Sequence, residues 1–125
     1  MKTIESKYFE SIVSDAIDAI PPNYLKRLEN VAFIIEDEPS LEQRHKLKLR
    51  FNESLFGLYE GAPLPTRFGQ TKLLPDKITI FKQPLIMFSH DIEDLKKKVH
   101  NTVWHEVAHY FGLDHGRIDE IERKS

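Results

Sequence analysis

Apolar residues recur every three or four positions in two long segments of the chain, which is the pattern of amphipathic helices. The first segment covers roughly residues 3–20 and ends at a pair of prolines, which cannot continue a helix. The second covers about residues 91–111, and either Ser89 or Asp91 can cap its N-terminus. Gly112 follows its last apolar position, so we expect the helix to stop there.

Three shorter apolar runs have the composition and length of β-strands. VAFIIE (31–36) predicts a buried strand, LFGLYEG (55–61) a second strand, and KITIFK (77–82) a third strand that Pro84 stops or marks as an edge. Short helices are predicted over 22–29, from Ser40 onward with Gln43 completing a capping box, and over 116–123. These elements predict an α+β fold, in which a short twisted sheet packs against the second long helix and a few other helices.

Length and composition are those of one ordinary globular domain. The chain has 125 residues, of which 40% are hydrophobic and 30% charged, so we expect a single domain over 1–125. A net charge of −2 gives no basic footprint for nucleic acid or an anionic membrane. No segment has the ~20 apolar residues of a membrane span or the apolar run of a signal peptide, so we expect a cytoplasmic protein.

Histidine and glutamate are concentrated in the segment WHEVAHYFGLDHG, near the end of the second long helix. His105 and His109 are four residues apart, so they lie on one helical face, turned away from the apolar stripe that includes Val103. Two imidazoles at this spacing can bind one zinc ion. Glu106 leans to one side of that pair, where a general base acting on a metal-bound water is needed.

A third protein ligand is required, because a catalytic zinc site uses three side chains and leaves one position for water. Gly112 allows the chain to leave the helix and turn back sharply, so that His115 can reach the same metal. Asp114 is the rival for this position. With the chain free of cysteine, thiolate ligands are excluded, and the spacing H-E-x-x-H-x-x-G-x-x-H predicts a zinc site of His105, His109 and His115.

Such a site is suited to amide hydrolysis without a covalent intermediate. Zinc makes hydroxide available near neutral pH, and Glu106 can pass a proton from the water to the leaving amine. Candidates for an additional oxyanion stabiliser are Tyr110, Arg67 and His90, and acids that could orient the ligands are Asp114, Asp119 and Glu120. Each of these is more often structural or exposed. His45, His100 and Lys96–Lys98 are expected on the surface, and Trp104 in the core.

Most of the chain, from about residue 15 to 121, resembles the small bacterial zincin-like family of metallopeptidases. The resemblance rests on PPNYLKRLENVAFIIEDEP, LFGLYEGAPL and LPDKITIFKQPLIMFSHDIEDLKKKVHNTVWHEVAHYFGLDHGRID. It implies a minimal zincin fold, with His105 and His109 as ligands and Glu106 as the catalytic base. The family often has aspartate at the position of the third ligand, where this chain has His115.

We therefore expect a zinc-dependent peptidase whose extended peptide substrate adds to an exposed edge strand, Lys77 to Lys82. One alternative is a non-catalytic binding module in which the metal stabilises the fold. Another is a metal-dependent endoribonuclease, since a bacterial family of that class has three histidines at this spacing and a turn similar to GLDH. Glu106 and the lack of basic excess favour the peptidase.

Overall fold

The computed structural model describes residues 4–49, 55–61 and 75–113, and within these ranges the fold is α+β, as predicted. In the described part of the chain, three strands form one mixed sheet, which packs together with five helices. The helices are α1 (Ser6–Asp18), α2 (Pro22–Leu25), α3 (Leu41–Lys46), α4 (Lys82–Met87) and α5 (Ile92–Tyr110). The strands are β1 (Val31–Glu36), β2 (Gly57–Glu60) and β3 (Asp76–Phe81).

Strand β3 lies in the centre of the sheet, whose order is β1-β3-β2. It pairs in parallel with β1 and antiparallel with β2, so both of its edges are hydrogen-bonded. The prediction that Lys77–Lys82 forms an exposed edge strand is therefore wrong. Ile78, Thr79 and Ile80 have no exposed surface, as expected for a central strand, and the chain is already helical from Lys82.

Strand β1 has the predicted bounds but not the predicted burial. All six of its residues are half-buried, because among the described residues only β3 pairs with it and it lies at the edge of the sheet. One face of β1 packs against the core, through Val31, Phe33 and Ile35. On the same face of the sheet, Tyr59 of β2 also packs against the core.

The core forms around α5, which packs against α1 and against strands β2 and β3. Helix α1 buries Phe9 and Ile12, and α5 buries an apolar stripe that includes Val99 and Val103. Burial of such side chains stabilises the fold by roughly 1.5–3 kcal/mol each. Trp104 is also buried, as predicted. This packing holds α5 in place, so its residues Thr102 and Glu106 have a fixed position beside Gly57 of β2.

Both ends of α5 follow the sequence prediction closely. The Asp91 side chain caps the first turn by accepting a hydrogen bond of 2.8 Å from the Asp94 amide, whereas Ser89 donates to a backbone carbonyl of α4. At the other end Gly112 has φ +71°, and the amides of Gly112 and Leu113 donate to the carbonyls of His109 and Ala108. This pair of hydrogen bonds is a Schellman motif, which ends the helix and turns the chain back.

The shorter elements differ more from expectation. Helices α1 and α2 end earlier than predicted, and Pro84 lies inside α4 without interrupting it, because the first turn of a helix needs no amide donor there. The capping box of Ser40 and Gln43 is present at α3. The predicted tail helix lies outside the described residues. Across the described ranges, no helix has the length and apolar character to cross a membrane.

Candidate metal and active site

His105 and His109 lie on the side of α5 that faces away from the core, as the helical spacing predicts. The His105 side chain is half-buried, and 44% of the His109 side chain is exposed. Two of the three residues between them, Val107 and Ala108, are fully buried. The two imidazoles are thus presented together on an accessible side of α5.

Hydrogen bonds determine which ring nitrogen of each histidine carries the proton. Nδ1 of His105 lies 2.9 Å from the carbonyl oxygen of Asn101, one turn earlier in α5. Nδ1 of His109 lies 3.2 Å from Oε1 of Glu106. Since both partners are acceptors, each Nδ1 carries a proton in the neutral ring and each Nε2 carries the lone pair. That arrangement is the one a metal-binding histidine needs, so the pair fits a zinc ligand role.

The side chain of Glu106 extends from α5 toward the start of β2, and 9% of the surface of this residue is exposed. The approach is close: a Cβ atom on Gly57 would lie 3.2 Å from Cγ of Glu106. Its hydrogen bond to His109 raises the pKa of that imidazole, although desolvation opposes the shift. A carboxylate held this firmly beside the two histidines is suitable for proton transfer within the same cavity.

A cavity of about 410 Å³ contains this group of residues. On one side it is lined by residues of β2 and the segment before it, Leu55, Phe56 and Gly57. On the other it is lined by one face of α5, with Lys98, Asn101, Thr102, His105, Glu106 and His109. Two of the three predicted ligands and the predicted base therefore open into one cleft, together with an apolar wall.

The third predicted ligand, His115, lies outside the described residues, as do Asp114, Arg67, Asp119 and Glu120. Within the described ranges, no cluster of three or more imidazole, thiol or carboxylate side chains could hold a metal. The turn at Gly112 reverses the chain two residues before this region begins. The role of His115 remains a prediction.

The two described candidates for an oxyanion stabiliser do not line the cavity. Tyr110 is fully buried, and its hydroxyl lies within hydrogen-bonding distance of the backbone amide and carbonyl of Glu29. His90 is exposed at the start of α5. His45 is exposed as predicted, while His100 is half-buried beside a smaller cavity between α1 and α5.

Sequence reasoning missed the cleft residues that precede the first histidine. Lys98 belongs to a lysine triplet that was expected to be solvated throughout, and Lys96 and Lys97 are indeed exposed. Lys98, however, is half-buried and lines the cleft with Asn101 and Thr102. The available signal was spacing, because residues seven, four and three positions before His105 lie on its helical face.

Comparison with known proteins identifies the family of this chain. The model of the zincin-like metallopeptidase family matches residues 28–125, well over half of the chain. The chain belongs to the zincin-like metallopeptidase family. The resemblance inferred from the sequence is thereby confirmed.

Other comparisons bear on the fold. A conserved hypothetical protein from T. thermophilus is similar in structure, with a TM-score of 0.57 and 17% identity over 97% of this chain and 100% of that one. At this identity the likeness shows the fold alone. A search of curated proteins found no significant match. Zinc is the metal typical of the zincin family.

Proposed function

We propose that this zincin-like protein is a zinc-dependent peptidase. His105, His109 and His115 would hold the metal, and Glu106 would act as the general base. One observation carries the proposal: both described histidines have Nδ1 beside an acceptor, and they share a single cleft with a largely buried glutamate. A solvated polar helix face would require none of these arrangements.

When bound, zinc would supply Lewis acidity for the attacking water and the substrate carbonyl. Side chains and backbone groups of the protein would orient the reacting groups and transfer the proton. One oxygen of Glu106 accepts the hydrogen bond from His109, which orients the carboxylate. The other oxygen can accept a proton from the attacking water and return it to the leaving amine. Asn101, through its carbonyl, keeps the His105 ring in the required orientation.

The position of β2 supports a proposed mode of peptide binding. Among the described residues β2 pairs only with β3, and its first residue, Gly57, lies at the cleft beside Glu106. An extended peptide can add to the other edge of β2 by main-chain hydrogen bonding, which would bring a peptide carbonyl near the base. This edge replaces Lys77–Lys82 in the proposal.

The first test is metal content, measured by mass spectrometry on tag-free protein. We expect about one zinc per chain, consistent with a single three-ligand site. His105→Ala, His109→Ala and His115→Ala should each lose it. His100→Ala is the matched control, because His100 is also on α5 but lines a different cavity. Wild-type protein without metal after zinc dialysis would contradict the proposed site.

The second test is turnover of a peptide library by zinc-loaded protein, with Glu106→Gln as the comparison. The substitution keeps the size of the side chain and removes its basicity, so we expect turnover to fall by about 10²–10⁴-fold. Equal turnover by both proteins would eliminate Glu106 as the base. Full zinc occupancy without turnover of any peptide would favour the metal-stabilised binding module instead.

A further inference from the structure

The cleft beside the predicted metal ligands has one apolar wall in a fixed position. Phe56 is partly buried against the core, and its ring centroid lies 5.9 Å from that of Phe88 at an angle of 60°. Its backbone carbonyl also accepts a hydrogen bond from Phe81 at the end of β3. Leu55 precedes it and lines the same cleft. Because both the ring and the backbone of Phe56 are held by contacts, this wall is preformed for an apolar group.

The opposite wall is less polar than its sequence suggests. Thr102 donates its hydroxyl to the Lys98 carbonyl at 2.7 Å, and its methyl group is the atom nearest to the position of a Cβ on Gly57. The ammonium group of Lys98 lies 2.8 Å from both carboxylate oxygens of Asp94. With the charge of Lys98 compensated there, its aliphatic stem is the part suited to line the cleft.

We infer that this cleft selects a peptide with a bulky apolar side chain next to the bond that is cut, and that Leu55, Phe56 and the Lys98–Asp94 pair are the specificity-determining residues. The inference rests on the proposed function. An apolar side chain gains by leaving water against Leu55 and Phe56. An acidic side chain would lose hydration there and would compete with Asp94 for Lys98.

The cleft is large enough to hold a bulky side chain together with the peptide bond beside it. Its volume of about 410 Å³ is near the lower end of the range for ligand pockets, which is about 300–1,000 Å³. Glu106 and His105 line the same space as Phe56, so a side chain in contact with Phe56 belongs to a residue close to the reacting bond. The peptide side chain that determines specificity would therefore belong to a residue next to the bond that is cut.

The test compares blocked peptides that differ only at the residue beside the cleavage site, with Phe, Leu, Gly or Asp. For zinc-loaded wild type, we expect kcat/KM for Phe or Leu to exceed that for Asp by at least about tenfold. Leu55→Ala and Phe56→Ala should reduce the Phe-to-Gly preference by about tenfold. Phe56→Leu preserves apolar packing and should therefore keep the preference for Phe or Leu over Asp.

Two further variants distinguish the effect of the cleft residues on side-chain preference from general effects of substitution on the protein. Asp94→Asn removes the charge that compensates Lys98, so turnover of the Asp peptide should rise several-fold relative to Phe. Leu41→Ala is the control for Leu55→Ala, because Leu41 is 87% exposed on α3 and does not line the cleft. The control should leave the side-chain preference unchanged.

A binding measurement distinguishes failure of the cleft from failure of the peptidase. Glu106-dependent turnover at equal rates for Phe and Asp would overturn the selective cleft and leave the peptidase intact. If no peptide is turned over, calorimetric binding to Glu106→Gln decides. Binding of the Phe peptide at least about tenfold tighter than the Asp peptide, weakened by Phe56→Ala, would support the cleft alone. Equal or absent binding would overturn both.

Discussion

Gly57 lies so close to Thr102 that a Cβ atom on residue 57 would be 2.6 Å from the Thr102 methyl carbon. The same atom would lie 3.2 Å from Cγ of Glu106 and 3.3 Å from the carbonyl oxygen of Thr79. The absence of a side chain at residue 57 therefore allows β2 to approach α5, and this approach places the base beside the sheet.

Gly57→Ala should destabilise the protein by about 1–3 kcal/mol, because an added methyl in a packed contact forces its neighbours to shift. Glu106 is one of those neighbours, so peptide turnover should fall as well. Unfolding in urea measures the first effect. Thr102→Ser removes the clashing methyl and keeps the hydroxyl that bonds the Lys98 carbonyl. The double variant should recover part of the loss, and a coupling energy below about 0.5 kcal/mol would contradict the contact.

Gly112→Ala should cost about 1 kcal/mol, because φ of +71° is a left-handed conformation that alanine adopts with strain. Relief of that strain would loosen the Schellman turn before the predicted third ligand. We therefore expect weaker zinc binding in chelator competition, together with lower stability. Asparagine tolerates this conformation better, so Gly112→Asn is the control. Equal losses in both variants would show that the backbone conformation is not the cause.

Tyr59→Phe should destabilise the protein by about 1–3 kcal/mol, since it removes a hydrogen bond to a buried carboxylate. The Tyr59 hydroxyl donates to Oδ2 of Asp76 at 2.6 Å, and 2% of the Asp76 surface is exposed. Tyr8→Phe removes the hydroxyl of a tyrosine that is 41% exposed and is the matched control. Thermal unfolding of both variants gives the comparison, and equal shifts would argue against the buried pair.

Sequence patterns predicted the elements of this fold better than their arrangement. The run VAFIIE gave the bounds of β1, and caps gave the ends of α5, because both signals are local. The order of the strands depends on which strands pair with each other, and the alternation of apolar residues in KITIFK carries no information about its pairing partners. The central place of β3 could therefore not be predicted, and the proposed peptide edge moved from β3 to β2.

The site shows the same division between local and tertiary information. Helical spacing predicted that His105 and His109 share a face, and this is what the structure shows. The partnership of Glu106 with His109 was not foreseen, because it depends on side-chain conformations. Lys98 was missed because a lysine triplet normally indicates a solvated surface, whereas the cleft wall comes from the segment before β2, distant in sequence.

The Lys98–Asp94 pair predicts a specific response to acid. The hydrogen bond from Lys98, followed by that from the His90 amide, holds the pKa of Asp94 below its ordinary value of 3.8. Because the folded-state pKa is the lower one, the charged carboxylate stabilises the protein above about pH 4. That contribution is lost as the pH falls through the folded-state pKa.

Asp94→Asn should therefore be less stable than wild type at neutral pH, and the difference should shrink as the pH falls below 3.8. Urea unfolding of both proteins between about pH 7 and 2 measures the difference. Glu93→Gln is the control, since that side chain is 86% exposed and lies 3.8 Å from Lys96 in a weaker pair. A difference that persists unchanged to pH 2 would mean that Asp94 stabilises the helix through its shape, and not through its charge.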